Sequence, residues 1–203
     1  MSLLPRAVLA PRGTLWLVRH AQPLVAPGVC YGQLDVPADA NATQAAAQAL
    51  AKQLPHGAQL QVSPLQRCEL LAQYLRALRP DLAYKKEARL AEMHFGQWEG
   101  CAWRQIPKVA LDAWTADFWQ HRFGGQECVA EFMARVACAW QEAQAQCRSG
   151  DVPVWLTHAG VIRAVSLLAR GVQEVHDSAL WPMDAPAFGQ CWQNHAPEGV
   201  SVT

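Results

Sequence analysis

The chain has 203 residues, 51% of them hydrophobic and 17% charged, with 17 Lys+Arg balancing 17 Asp+Glu. That length suits one domain with a substantial core, and the composition is too apolar for a disordered chain. Zero formal net charge and the lack of a Lys/Arg block give nucleic acid no electrostatic footprint, so an anionic ligand would need a local basic site.

Residues 1–13 (MSLLPRAVLAPRG) interrupt short apolar pieces with two prolines and two arginines. They make a poor signal peptide, cannot span a membrane, and read as a loose leader ahead of a single domain over 14–203. The first strong element is Leu15-Trp16-Leu17-Val18, an unbroken apolar run suited to a strand buried on both faces of a parallel sheet. It gives way to Arg19-His20 at its carboxyl end, where ligand sites of such sheets lie. A Pro/Gly-rich loop, 23–37, carries Cys30-Tyr31-Gly32-Gln33-Leu34-Asp35; its length without periodicity favours a functional loop. A helix follows, with Asn41 as its cap, Gln44 completing a capping-box-like pair, and Ala47, Leu50, Ala51 and Leu54 as its apolar stripe.

Leu60 and Val62 alternate with Gln59 and Gln61 as a short strand. Ser63-Pro64-Leu65-Gln66-Arg67 then predicts a helix start with Ser63 as N-cap, Pro64 at N1 and Gln66 at N3. This puts Arg67 in the first turn, and Leu71, Leu75 and Leu78 continue the buried face. Residues 82–90 can hold a further strand. The turn Glu92-Met93-His94-Phe95-Gly96-Gln97-Trp98-Glu99-Gly100 brings two carboxylates, and residues 94–123 form an aromatic segment, read as lid-like, with tryptophans at 98, 103, 114 and 119. His94 and His121 read as surface or lid residues. Gly124-Gly125 breaks the chain before a long helix with Val129, Phe132, Met133, Val136 and Trp140 on one face, ending near Cys147. Val152 to Thr157 is a buried strand leading to His158-Ala159-Gly160, then a helix over 161–170 stopped by Gly171. The tail suggests edge strands around Leu180 and over 188–192. Strands alternating with helices predict a three-layer α/β/α sandwich with a mainly parallel sheet.

Seven cysteines, at 30, 68, 101, 128, 138, 147 and 191, are scattered and lack any CxxC pair. That argues against a disulfide framework or a zinc knuckle and fits a reducing cytoplasm.

Three strands thus deliver Arg19-His20, Arg67 and His158 to one sheet edge. Guanidinium forks match phosphate oxygens bidentately, and a helix N-terminus favours an anion. Arginines also lower the pKa of a neighbouring imidazole, keeping it neutral and nucleophilic near pH 7. A carboxylic acid beside a bound phosphate is pushed the other way and can protonate a leaving alkoxide.

LVRHAQP resembles the Arg-His-Gly signature of the histidine phosphatase (phosphoglycerate mutase-like) superfamily, and SPLQR, EMHFGQWEG and THAGVIR resemble its other three motifs in order and spacing. The resemblance spans most of residues 14–165 and implies the same α/β/α fold without a metal or other cofactor. It implies that His20 becomes phosphohistidine, that Arg19, Arg67 and His158 hold the phosphoryl group, and that Glu92 is the general acid, with Glu99 a nearby alternative. Ala159 and Gly32 are further candidates for phosphate contact.

Within the superfamily, CYGQLDVP and the chain length look most like the α-ribazole phosphatase branch, which implies removal of a 5′-phosphate from α-ribazole phosphate in the cobalamin pathway. Phosphoglycerate mutase and a broad phosphomonoesterase are the alternatives. From other classes, a non-catalytic phosphate binder and a metallohydrolase with His20 and His158 as ligands compete. The partners implied are a small-molecule phosphate monoester and, as a possibility, a second copy of the chain in a homodimer, with no nucleic acid and no membrane. Ala21 stands where the family has glycine, Gln22 where it has glutamate, Ala26 or a neighbour for an asparagine, Leu71 for a threonine and Ala159 for a glycine; Gly125-Gln126-Glu127 lacks a second glycine. These departures remove no nucleophile or proton donor and bear on substrate choice.

Overall fold

The computed structural model describes residues 13–195; the leader, apart from Gly13, lies outside them. Within that range the strands and α-helices are, in chain order, β1 (Thr14–Arg19), α1 (Ala40–Gln53), β2 (Ala58–Val62), α2 (Gln66–Leu78), β3 (Tyr84–Lys86), α3 (Lys108–Ala116), α4 (Val129–Arg148), β4 (Val152–Thr157), α5 (Ala159–Leu168) and β5 (Cys191–His195). The strands form one sheet in the order β3-β2-β4-β1-β5, parallel except for β5, which pairs antiparallel with β1 at the edge.

β1 and β4 read as apolar runs because both their faces are covered. Leu15 and Leu17 of β1 and Trp155 of β4 join Phe132, Met133 and Val136 of α4 and Val161, Ile162 and Val165 of α5. Trp16, Val18, Val154 and Leu156 point the other way and join Ala47 and Leu50 of α1 and Leu71 and Leu75 of α2. The α/β/α sandwich is therefore built by strand alternation alone. Among the described residues no helix is long and apolar enough to cross a membrane.

Several local expectations are corrected. The cap of α1 is Asp39, whose Oδ1 accepts the Ala42 N–H at 2.7 Å, not Asn41. Ser63 does not cap α2; Leu65 stays extended, the helix starts at Gln66, and the Ser63 hydroxyl is engaged by His158. Leu78 is exposed because α2 has by then turned its last residue past the sheet. Gln61 is buried, since its partner across the sheet is Trp155, under α4 and α5. The last helix begins at Ala159, two residues early, and ends at Leu168. Leu180 lies in a 3-10 turn rather than a strand, while β5 runs over Cys191–His195.

The aromatic segment holds short 3-10 turns and α3, and packs on a small core of Cys30, Ile106 and Phe123. Its two ends meet at glycines. Gly124, at φ +77, sits where a Cβ would collide with the Phe95 carbonyl, and a Cβ on Gly96 would collide with Gly124. Gly125 also has positive φ (+87) but open space around it. In urea denaturation Gly125→Ala is therefore expected to cost about 1 kcal/mol, the left-handed backbone penalty alone. Gly124→Ala, which adds a backbone collision, should cost at least about twice that; equal costs would show that the two turns separate freely.

Candidate active site

The carboxyl ends of three adjacent strands meet here. β1 ends in Arg19-His20, β4 in Thr157-His158, and β2 in Val62-Ser63 ahead of α2, whose first turn carries Arg67. The His20 N–H donates to the Thr157 carbonyl at 3.0 Å, and the Ser63 N–H to the Leu156 carbonyl at 2.9 Å, so the strand ends are stitched together past the last paired residues. The His20 and His158 rings lie 5.1 Å apart, centroid to centroid.

His20 is 1% exposed, and its Nδ1 lies 2.7 Å from the Ala21 carbonyl oxygen. A carbonyl only accepts, so Nδ1 carries the proton and Nε2 keeps its lone pair. Burial, reinforced by the Arg67 and Arg19 charges, lowers the His20 pKa to about 3. His158, fully buried, accepts from Arg67 Nε at its Nδ1 (3.3 Å), and its Nε2 lies 2.7 Å from Ser63 Oγ, so here the proton sits on Nε2. Burial and then the Arg67 charge hold it, too, well below the usual histidine range. Both imidazoles are neutral at pH 7.

Arg67 is itself fully buried. It donates from Nη2 to the Gly32 carbonyl (2.6 Å), from Nη1 to the Leu34 carbonyl (3.0 Å) and from Nε to His158. No ion pair among the described residues involves it. Arg19 donates from Nη1 to the Pro186 carbonyl at 3.0 Å and lies over the Phe188 ring at 3.8 Å. Burial lowers its pKa, with the neighbouring Tyr31 hydroxyl and Glu92 opposing.

Glu92 reaches the start of α5. Its Oε2 accepts the Gly160 N–H at 3.0 Å, satisfying one orphan donor of the helix, and Oε1 accepts the Met93 N–H at 3.0 Å. A Cβ on Gly160 would strike this carboxylate, so the glycine makes the approach possible. The Ala159 N–H has no partner among the described residues. Glu99 is placed differently: one of its oxygens accepts from the Gln33 and Phe95 N–H groups, and its side chain is 8% exposed.

A cavity of about 310 Å³ opens beside these groups. Arg19, Gly32, Glu92 and Ala159 border it, whereas His20, Arg67 and His158 do not. Of the expected residues the structure thus brings all seven to one region, in two tiers. No group of three or more His, Cys, Asp or Glu suited to a metal occurs among the described residues, and the seven cysteines are unpaired. His94 is half-buried and receives the Gly96 N–H; His121 is half-buried.

Sequence reasoning missed four positions. Phe188 packs on His20 at 5.4 Å, Ser63 holds His158, and Gly160 admits Glu92. Arg135 on α4 donates to the carbonyls of Arg89, Ala91 and Glu92 and pairs with Glu127, fixing the segment that carries Glu92. Gly160 and Ser63 had a visible signal, their places in HAG and SPLQR; Phe188 and Arg135 had none.

The family model of the histidine phosphatase superfamily (branch 1) matches residues 15–186. No curated protein sequence matches the chain. Among solved structures it is similar to the mycobacterial glucosyl-3-phosphoglycerate phosphatase Rv2419c, at 25% identity over 89% of each chain with a TM-score of 0.71. That protein has also been solved with inorganic phosphate; there the identity is 25%, the TM-score 0.71, and the match covers 89% of this chain and 88% of that one. TTHB049 from Thermus thermophilus aligns at 26% identity over 89% of this chain and 92% of its own, with a TM-score of 0.65.

The depressed imidazoles imply a pH dependence of folding. Between the folded value of about 3 and the ordinary histidine value of 6.5 the unfolded chain binds a proton at His20 that the folded chain does not. Stability is therefore whole above about pH 6.5 and falls as pH drops toward 3, by up to about 1.4 kcal/mol per pH unit for each such group. Urea denaturation from pH 7 to pH 5 should show this loss, and His20→Gln should make it shallower by roughly one group's share. An unchanged slope in that variant would mean that His20 titrates normally.

Proposed function

Since the chain belongs to the histidine phosphatase superfamily, branch 1, we propose that it hydrolyses phosphate monoesters through a phosphohistidine on His20, with α-ribazole 5′-phosphate as substrate. The observation that carries this reading is Arg67: a fully buried guanidinium with no carboxylate partner, set against two neutral imidazoles. Such a charge is costly without a counter-anion, and a phosphoryl group supplies one.

In the first step His20 Nε2 attacks phosphorus, the P–O bond to the alcohol breaks, and the leaving oxygen takes the proton of the Glu92 carboxyl. In the second step Glu92, now carboxylate, takes a proton from water. The water oxygen attacks phosphorus, and the N–P bond breaks to release inorganic phosphate and free His20. Arg19 and Arg67 hold the phosphoryl oxygens, His158 joins them by turning its Nε2 proton from Ser63 to the phosphoryl group, and the Ala159 N–H and the Gly32 loop complete the cradle. Glu92 is favoured over Glu99 because it borders the cavity, while Glu99 is used in holding its own turn.

The rest of the cavity favours an aromatic alcohol. Trp103, Trp114, Phe118 and Trp181 line it, its volume is at the small end of ligand sites, and such walls stack on a flat base. This is the support for a benzimidazole nucleoside and for the 94–123 segment acting as a cover over the leaving group. The unpaired cysteines fit a cytoplasmic enzyme.

Rapid-quench labelling with a phosphorylated substrate should trap an acid-labile phosphoenzyme that His20→Ala does not form, with turnover reduced at least about a thousandfold. A wild-type protein that binds phosphate without phosphoenzyme or turnover would overturn the reading in favour of a binder. Glu92→Gln should slow release of an alkyl alcohol by about a hundredfold or more, but of p-nitrophenol by less than about tenfold. Equal losses on both would remove Glu92 as the acid.

A further inference from the structure

One cation at the cavity has no part in the phosphorus chemistry. Arg163 lies on α5 three residues beyond Gly160, so the two share a helix face. It borders the same cavity as Arg19, Glu92 and Trp181. Its Nη2 donates to the Met183 carbonyl at 2.8 Å, while its Nε is buried without a hydrogen-bond partner among the described residues. No described ion pair includes it.

Its position is electrostatically poor, because Arg163 is near enough to Arg19 to act on it as a like charge. A guanidinium with unused donors in such a place is accounted for by an acceptor that arrives with the ligand. The phosphoryl group already has Arg19 and Arg67. The aromatic walls offer few donors, so the oxygens linking phosphate to a ring have Arg163 as their charged partner.

Resting on the substrate reading above, we propose that Arg163 is a specificity-determining residue that donates to the sugar oxygens of an aromatic nucleoside 5′-phosphate, between the phosphoryl site and the tryptophan-lined end of the cavity.

Three substrates separate the contributions: α-ribazole 5′-phosphate (sugar and ring), ribose 5-phosphate (sugar only) and phenyl phosphate (ring only). Arg163→Gln should raise KM about tenfold on the first two, the loss of one charge-assisted hydrogen bond. It should leave kcat within about twofold, and both constants on phenyl phosphate within about twofold. Trp181→Leu should give the crossed pattern, raising KM on the two ring-bearing substrates and not on ribose 5-phosphate. Equal rises on all three with Arg163→Gln would overturn the proposal by assigning the residue to the phosphoryl group. No change on any would overturn it by leaving only the tie to Met183. An unaltered enzyme that hydrolyses phenyl phosphate but neither sugar phosphate would overturn this proposal and the substrate reading while sparing the phosphohistidine; turnover of none would overturn all three.

Discussion

A buried positive charge without a negative partner governs this molecule. Arg67 is shut from water and is met by two backbone carbonyls and an imidazole nitrogen. Carbonyl dipoles offset part of the desolvation of a guanidinium, but not all of it. The same contacts do two things at once. They pin residues 32–34 to α2 and fix which nitrogen of His158 bears the proton, and the Arg67 charge adds to the burial that keeps both histidines from charging. On the proposed reaction, a phosphoryl dianion entering beside them meets an Arg67 already oriented, which is how an electrostatic site gains strength over solvent.

Glu92, the proposed proton donor, is held with comparable care. The Glu92 carbonyl accepts from Arg135 and from the Gln33 side-chain amide, and its carboxylate accepts from two backbone N–H groups. One of those groups belongs to α5, so a hydrogen bond ties Glu92 directly to a helix that borders the cavity. Glu99, seven residues along, has the same side chain, likewise held by two backbone N–H groups, but does not border the cavity. Environment, not residue type, divides the roles proposed for them.

Much of this was legible because burial on both faces leaves a plain signature. β1 and β4 are apolar runs, so their ends, and hence His20 and His158, could be placed from the sequence. Arg67 followed from the helix start after β2. What escaped was anything decided by a distant partner. Ser63 has the composition of an N-cap, yet β2 lies beside β4, and the His158 ring claims the hydroxyl. The start of α5 was misplaced because its second N–H is satisfied from Glu92, 68 residues away. Phe188 looked like an edge-strand residue; only the antiparallel return of the chain sets it against His20 and Arg19. Gln61 belied its polarity because its face is chosen by register, and register is a property of the sheet.

The glycine contact at the base of the aromatic segment has a further consequence. Because residues 96 and 124 touch backbone to backbone, the chain between them is a loop whose closure is fixed at its stem. Its ring is tied independently of what it contains, so lengthening or rewriting the interior adds little closure entropy. Trp103 and Trp114, which line the cavity, can thus be exchanged as a cassette, while the strand ends that carry Arg19, His20 and His158 stay where they are. A scaffold divided in this way can acquire new substrates without relearning its chemistry.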